Sequence, residues 1–293
     1  MTGEFAALAT ALFWSWNALL FTSAGREVGS FAVNIIRLIF AVLFLAITHY
    51  LFLGNYSVSS RGFYSLALSG IIGLMLGDLT LFKAFVILGA RRSLLIHASA
   101  PAFTAILAYF FLGEILGTWE ILGIFITMAG IFWVMSESKD KQDKIHGSLF
   151  VGIILSVIAA LCQAGGLVVA KYGLNDSTLD PLFATLIRMV AALAGVSLLM
   201  IFSKRLTQVQ NAFKNRRALK FIFLGSILGP FLGVWLSMVS IKYTSTGIGA
   251  TIMATTPILI IPFSMIFHKD HPSIRAITGT IIAFLGVVLL FWK

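Results

Sequence analysis

Apolar segments of about 20 residues succeed one another along almost the whole chain, and only short polar turns separate them. An α-helix of about 20 apolar residues is long enough to cross the hydrocarbon core of a bilayer. The sequence therefore predicts an all-α integral membrane protein of about ten transmembrane helices, which fill most of its 293 residues. The approximate spans are 4–24, 31–53, 62–82, 93–112, 117–136, 147–170, 180–203, 218–240, 245–267 and 273–292.

The composition agrees with a lipid-covered exterior. Charged residues make up 11% of the chain and hydrophobic residues 59%, whereas soluble proteins carry about 25% charged residues. A net charge of +10 in a soluble protein would suggest nucleic acid as a partner. In a membrane protein the same charge is explained by basic loops that set orientation, so we predict no nucleic-acid partner. A single cysteine, Cys162, excludes an internal disulfide.

The chain repeats itself at a spacing of 156 residues. Shifting residues 77–133 forward by 156 positions preserves the sequence pattern without a gap. The aligned pairs include Gly77 and Gly233, Pro101 and Pro257, Gly123 and Gly279, and Gly130 and Gly286. We predict two similar halves of five helices each, at 1–138 and 145–293. Because five is odd, the second half enters the membrane in the opposite sense, as in the inverted repeats of secondary transporters.

One segment resembles a known family. The stretch Ala98–Glu114, which reads ASAPAFTAILAYFFLGE, is similar to the fourth helix and Gly-Glu turn of EamA-type proteins in the drug/metabolite transporter (DMT) superfamily. Residues 121–133 resemble the helix that follows in that family, and the second half carries Lys269-Asp270 where the first carries Gly113-Glu114. The resemblance covers essentially the whole chain.

This resemblance implies a central cavity lined by helices 1, 3, 4, 6, 8 and 9, and alternating access by rocking or bending of those helices. Family members transport amino acids, nucleosides, sugars, drugs, choline-like cations and organophosphates. The family alone therefore does not identify the substrate.

Asp78 is the most informative candidate residue. It lies inside the third span, where an ionised carboxylate costs about 2.5–3.5 kcal/mol on insertion scales. Its repeat position is Val234, so the charge is not a symmetric packing device. Asp78 is either a substrate-binding or proton-coupling group, or a structural partner of Arg37, Arg188 or Lys83.

Other polar residues in the spans also leave two interpretations open. His97 could exchange a proton near neutral pH, or bond a carbonyl that the nearby Pro101 leaves free. Arg37 and Arg188 occupy equivalent positions in the two halves, and either brace helices or bind an anion. Pro101 and Pro257 are predicted hinges, because a proline frees carbonyls that neighbours or water must satisfy.

Mid-span aromatic residues indicate a binding cavity. Trp14 and Asn17 share a face of the first helix, and Gln163 and Trp235 are their nearest counterparts in the sixth and eighth. Aromatic walls with a few polar anchors suit an amphipathic ligand, including a cation. The predicted substrate-binding residues are Trp14, Asn17, Asp78, His97, Gln163 and Trp235.

No catalytic or metal-binding motif occurs in the sequence, so we expect neither an enzyme nor a cofactor or metal. The leading hypothesis is a secondary carrier of small organic metabolites (amino acids, drugs or similar amphipathic solutes). Asp78 and His97 are its candidate proton-coupling groups. The first alternative is a uniporter or proton-coupled uptake carrier for a quaternary ammonium or other organic cation. The second is a non-transporting membrane sensor or assembly partner.

The basic residues sort between the two sides of the membrane. Fourteen of the 21 fall in odd-numbered turns, and four (Arg61, Lys171, Lys242 and Lys293) fall on the other side. The positive-inside rule then places both termini outside the cell, whereas family members are commonly described with cytoplasmic termini. Short turns and the lack of an organelle-targeting sequence favour a prokaryotic plasma (inner) membrane.

Overall fold

The computed structural model describes residues 1–52, 58–88, 93, 96–136, 148–175, 179–256, 258–259 and 273–291, which contain helices and no strands. Two of the long helices contain a π-helical segment, named π1 and π2. The elements are α1 (Thr2–Val28), α2 (Ser30–Phe52), α3 (Ser60–Ser69), π1 (Gly70–Gly77), α4 (Asp78–Leu88), α5 (Ala100–Leu112), α6 (Thr118–Met135), α7 (Leu149–Leu174), α8 (Pro181–Phe202), α9 (Leu206–Lys214), α10 (Arg216–Ser226), π2 (Ile227–Gly233), α11 (Val234–Tyr243), α12 (Thr246–Met253) and α13 (Ile274–Phe291).

The prediction of an all-α membrane protein is confirmed. Among the described residues, seven helical segments are long and apolar enough to cross a membrane, and α5 is a shorter apolar helix. Large apolar side chains such as Phe110, Phe125 and Phe202 are exposed on the outside of the bundle, where lipid would cover them. The total of ten spans remains a prediction, and the predicted junction at 138–145 lies outside the described residues.

The predicted fourth and ninth spans are both interrupted, and at equivalent positions. Ser99 donates its backbone N–H to the Ile96 carbonyl at 3.0 Å, and Thr255 donates to the Ile252 carbonyl at 3.1 Å. The turns at 98–99 and 254–255 end one helical segment before the next begins. Pro101 therefore lies in the first turn of α5, where its missing N–H costs nothing. Pro257 lies outside the described residues.

The two π-helical segments also occupy equivalent positions. π1 ends at Gly77 and π2 ends at Gly233, so that Asp78 and Val234 each begin the helix that follows. A π-helical segment widens the turn and leaves backbone groups with altered partners, and such segments are frequent at functional sites. The third span is longer than predicted, because helix continues through π1 to Leu88.

Helices α6 and α13 pack antiparallel through glycines that approach in reciprocal pairs. A Cβ atom added at Gly123 would lie 3.0 Å from the Gly286 carbonyl oxygen, and one added at Gly279 would lie 3.0 Å from the Gly130 carbonyl oxygen. The 156-residue shift exchanges these two contacts. Thr127 donates its hydroxyl to the Ala283 carbonyl at 3.5 Å across that same separation. The contacts between α6 and α13 are therefore symmetric with respect to the sequence repeat.

Replacing Gly130 with valine should destabilise this helix pair. A Cβ atom there would lie 2.7 Å from both the Ala283 Cβ and the Gly279 carbonyl oxygen, and overpacking of this kind costs about 1–3 kcal/mol. Gly25→Ala is the control, because no atom lies within 4 Å of an added Cβ at that helical position. Thermal unfolding in detergent should show a lower midpoint for Gly130→Val alone. Equal midpoints for the two variants would contradict close packing between α6 and α13.

Candidate functional site

A cavity of about 180 Å³ lies inside the bundle, and both halves of the sequence contribute to it. Its polar or charged lining residues are Trp14, Asn17, Arg37, Asp78, His97, Gln163, Arg188 and Ser237. Its apolar lining residues and glycine are Leu74, Leu167, Gly229, Pro230 and Val234. Five of the six predicted substrate-binding residues are thus brought together, along with both predicted arginines.

The helices that line the cavity differ in part from those that the family resemblance implies. The second and seventh spans contribute Arg37 and Arg188, which the implied set of helices 1, 3, 4, 6, 8 and 9 does not include. No lining residue comes from the described part of the ninth span. A long side chain allows an arginine to reach the cavity from a helix that contributes no other lining residue.

Asp78 forms an ion pair with Arg37. The Arg37 guanidinium donates to the Asp78 carboxylate and also, at 2.8 Å, to the side-chain oxygen of Asn34. The two side chains are 21% and 13% exposed, respectively. Of the partners that the sequence left open for Asp78, the structure therefore selects Arg37, while Lys83 is exposed.

Three buried polar atoms that line the cavity have no hydrogen-bond partner among the described residues. They are Oδ1 of Asn17, Nδ1 of His97 and Nε of Arg188. Buried polar groups in proteins are nearly always hydrogen-bonded, so unpaired ones call for an explanation. Their convergence on one cavity indicates a site for a polar occupant.

Trp235 does not line the cavity. Its indole ring stacks on Phe231 with centroids 6.2 Å apart, and it packs against the apolar core beside the cavity. Consecutive helical residues point about 100° apart, and the cavity is lined instead by the preceding residue, Val234. Sequence spacing alone places Trp235 only on a helix, without fixing which side faces inward.

Sequence reasoning missed Pro230, which lies inside π2 and lines the cavity. A proline within a helix removes one backbone hydrogen bond and bends the helix. Gly229 and Gly233 on either side leave room for Asn17 and Trp14, whose side chains approach them closely. The signal that could have found this bend is a proline flanked by glycines within an otherwise apolar span.

A second polar cluster joins the two halves at the end of the bundle that contains Met1, called here the amino-terminal face. Glu114 accepts hydrogen bonds from the backbone N–H of Thr246 at 2.6 Å and from its hydroxyl at 2.7 Å. Lys171 donates to carbonyl oxygens at the end of α11, and Thr244 donates to Glu4 at 3.1 Å. Glu114 thus caps α12 of the other half, a contact that sequence spacing does not reveal.

The opposite end of the bundle carries basic residues. Its described members include Lys204, Arg205, Lys214, Arg216, Arg217, Lys220 and Arg275. Arg217 pairs with Glu27 at 3.4 Å, and Arg275 donates to the Trp133 carbonyl at 3.1 Å. The amphipathic helix α9 lies on this basic face, where Gln208 donates to the Val28 carbonyl at 3.3 Å. The orientation of this face in the cell remains a prediction.

Apolar spans around an internal cavity with polar and charged lining residues define the class: a multi-pass integral membrane protein. Comparison with known proteins identifies the solute-transporting kind of membrane protein. The sequence model of the EamA-like transporter family matches residues 1–136 and 150–292. The chain belongs to the EamA-like transporter family.

Relatives of the chain are also named as transporters. An uncharacterized transporter of Archaeoglobus fulgidus is 22% identical over 287 residues, which cover 97% of this chain and 95% of that protein. The uncharacterized transporter YyaM of Bacillus subtilis is 33% identical over 103 residues, or 35% of this chain and 32% of YyaM. One protein of known crystal structure superimposes with a TM-score of 0.77 at 15% identity, covering 99% of this chain and 98% of that one. This last likeness shows the fold alone.

Proposed function

We propose that this transporter is a secondary carrier that moves small organic metabolites, such as amino acids or similar amphipathic solutes, through the central cavity. The observation that carries the proposal is the convergence of unpaired polar atoms from Asn17, His97 and Arg188 on that cavity. A polar solute that enters would supply the missing hydrogen bonds. Leu74, Leu167 and Val234 would contact its apolar part.

Alternating access is the mechanism that we propose for this carrier. Two inverted halves at 1–138 and 145–293 would exchange conformations around a fixed site, as secondary carriers built from inverted repeats do. The equivalent helix breaks at 98–99 and 254–255, and the equivalent segments π1 and π2, support this proposal. They give each half the same places to bend, including the predicted hinge region at Pro101.

The cation carrier considered above is less well supported. Its binding site requires a free Asp78 carboxylate, but that carboxylate pairs with Arg37. A proton-coupling role for Asp78 or His97 remains compatible with the proposal, since both line the cavity. A non-transporting sensor would bind a ligand without moving it, so flux measurements separate that alternative.

Replacing Trp14 with phenylalanine should reduce flux at least about fivefold, while the matched change Trp235→Phe should leave it nearly unchanged. Trp14 lines the cavity, and the nitrogen edge of its indole ring lies against Gly233 of the second half. Trp235 is also half-buried but lies outside the lining. Phenylalanine has a smaller ring and no N–H, and a loss of about 1 kcal/mol of contact with the solute lowers affinity about fivefold.

The measurement uses the full chain in proteoliposomes loaded with a defined mixture of amino acids and other small metabolites. Mass spectrometry of the retained contents gives the efflux of each solute over time. Protein-dependent efflux of some solute, with the stated order of the two tryptophan variants, supports the carrier. Binding of a solute without any efflux would support a sensor. Equal effects of both variants would show that the transported solute does not pass through this cavity.

A further inference from the structure

Arg188 is a buried cation without a counter-ion among the residues that the structure describes. Its side chain lines the cavity with 3% of its surface exposed, and one terminal nitrogen donates to the Met238 sulfur at 2.9 Å. Its Nε atom has no partner, and none of the ion pairs among the described residues includes it. A thioether is a weak acceptor, and an isolated buried charge is costly unless another group pairs with it. We therefore expect a hydrogen-bond acceptor on a molecule that enters the cavity to pair with the guanidinium.

The internal repeat shows that this lack of partners is specific to the second half. Arg37, the equivalent residue, bonds both Asn34 and Asp78. Position 185, which matches Asn34, is a threonine whose hydroxyl donates to the Pro181 carbonyl at 2.7 Å. Position 234, which matches Asp78, is valine. The second half thus has the arginine but neither of the groups that satisfy it in the first half.

The charge balance of the cavity selects the sign of the solute. Arg37 and Asp78 cancel each other, which leaves the positive charge of Arg188 when His97 is neutral. A guanidinium presents its N–H donors in a planar fork that matches a carboxylate, and such charge-assisted pairs are among the strongest hydrogen bonds in proteins. A phosphate dianion would require a second free cation, and Arg37 is already paired.

We propose that Arg188 binds the carboxylate of the transported molecule, so that the substrates are small amphipathic monocarboxylates, including zwitterionic amino acids. This inference rests on the carrier function proposed above and specifies its substrate class. The cavity has a volume of about 180 Å³. That size suits a small acid better than the larger ligands for which pockets of roughly 300–1,000 Å³ are usual.

The test compares carboxylates with the corresponding carboxamides, in which a neutral group replaces the anionic one, as ligands of the purified protein. The probes are benzoate with benzamide, leucine with leucinamide, and tetraethylammonium and inorganic phosphate as further ions, each at millimolar concentration in a thermal-unfolding assay. We expect a carboxylate to raise the unfolding midpoint and its amide to have little effect. Arg188→Gln should weaken carboxylate binding by about 10- to 100-fold. Lys83→Gln, which removes an exposed cation outside the cavity lining, should bind like the unmodified protein.

A structural role for Arg188 predicts a different result. Arg188→Gln would then lower the unfolding midpoint in the absence of any ligand, whereas our proposal predicts an unchanged or higher midpoint. Carboxylate binding that survives Arg188→Gln would overturn the inference, as would stabilisation by tetraethylammonium or phosphate alone or by none of the probes. Proteoliposome flux of a neutral or cationic solute that Arg188→Gln leaves intact would overturn it too, while the carrier function would stand. Binding of a carboxylate without flux would instead reject the carrier function and leave the binding site in place.

Discussion

Replacing Asp78 with asparagine is expected to lower the free energy of unfolding by about 3 kcal/mol. The substitution removes the negative charge and leaves the Arg37 guanidinium inside the bundle with neutral amide acceptors alone, from Asn34 and from the introduced asparagine. Removing one member of a buried ion pair costs about 3–5 kcal/mol, because the remaining charge has lost both water and counter-ion. The lower end of that range applies here, since the two side chains are 21% and 13% exposed. Chemical unfolding in detergent micelles measures the change.

Two further variants make this result specific. Glu27→Gln removes an acid that pairs with a well-exposed arginine, Arg217, and exposed pairs contribute only about 0–1 kcal/mol. The double variant Arg37→Met with Asp78→Leu removes both charges and should recover most of the lost stability, because an apolar replacement of a buried pair is often neutral. The single variants of this cycle are Arg37→Met and Asp78→Leu, and each should cost about 3 kcal/mol because it leaves one buried charge unpaired. A coupling energy of at least about 3 kcal/mol is therefore expected between the two positions. Additive effects of the two single changes would show that the pair contributes no stability.

Much of the fold could be predicted because the bilayer imposes few solutions on an apolar chain. Every backbone polar group in lipid must be satisfied within its own segment, so long apolar segments become helices. The interruptions were harder to predict, since 93–112 and 245–267 have the composition of continuous spans. Their breaks depend on turns at Ser99 and Thr255, whose hydroxyls each donate to a preceding carbonyl at 2.7 Å. Such local competition by hydroxyl groups with helical hydrogen bonds has a weak sequence signal.

Site residues could be predicted from the sequence where their charge is costly in lipid. Their partners, and which of two adjacent residues lines the cavity, could not be predicted because helix packing determines them. Asp78, Arg37 and Arg188 stand out because a charge in a span must have a reason. Which acid pairs with which arginine depends on how the helices pack, and the sequence left all three options for Asp78 open. Trp235 illustrates the same limit, since a shift of one residue along the helix determines whether the indole ring or the Val234 side chain lines the cavity.

The contact between Glu114 and Thr246 gives the Gly-Glu turn a physical role. Gly113 adopts a left-handed conformation with φ of 67° that ends α5, which directs the chain so that Glu114 reaches the start of α12. The N-cap residue of α12, Ser245, makes no side-chain capping bond. Glu114 supplies both the missing acceptor and a negative charge at the positive end of the helix dipole. The first half thereby holds the second half at the amino-terminal face.

Replacing Glu114 with alanine should release this face and increase access to the cavity from it. Hydrogen bonds to a charged acceptor contribute about 1.5–3 kcal/mol each, and each 1.4 kcal/mol lost shifts an equilibrium between closed and open forms about tenfold. The reporter is Ser237→Cys in a Cys162→Ala background, which leaves a single thiol in the cavity because the chain has one cysteine. Reaction with an impermeant maleimide should become at least about tenfold faster when the reagent is added at the amino-terminal face.

Labelling of both intact cells and inside-out vesicles identifies which side of the membrane that face occupies, and so also tests the orientation derived from the basic residues. Glu120→Ala is the matched control. Glu120 lies at the same end of the bundle and accepts from the Gly117 backbone N–H at 2.7 Å, but this bond stays within the first half. Its loss should leave the labelling rate unchanged, because it does not join the halves. If the Glu114→Ala and Glu120→Ala variants react with the maleimide at the same rate, the contact with Thr246 only caps a helix. Closure of the amino-terminal face must then depend on the hydrogen bonds of Lys171 and Glu4.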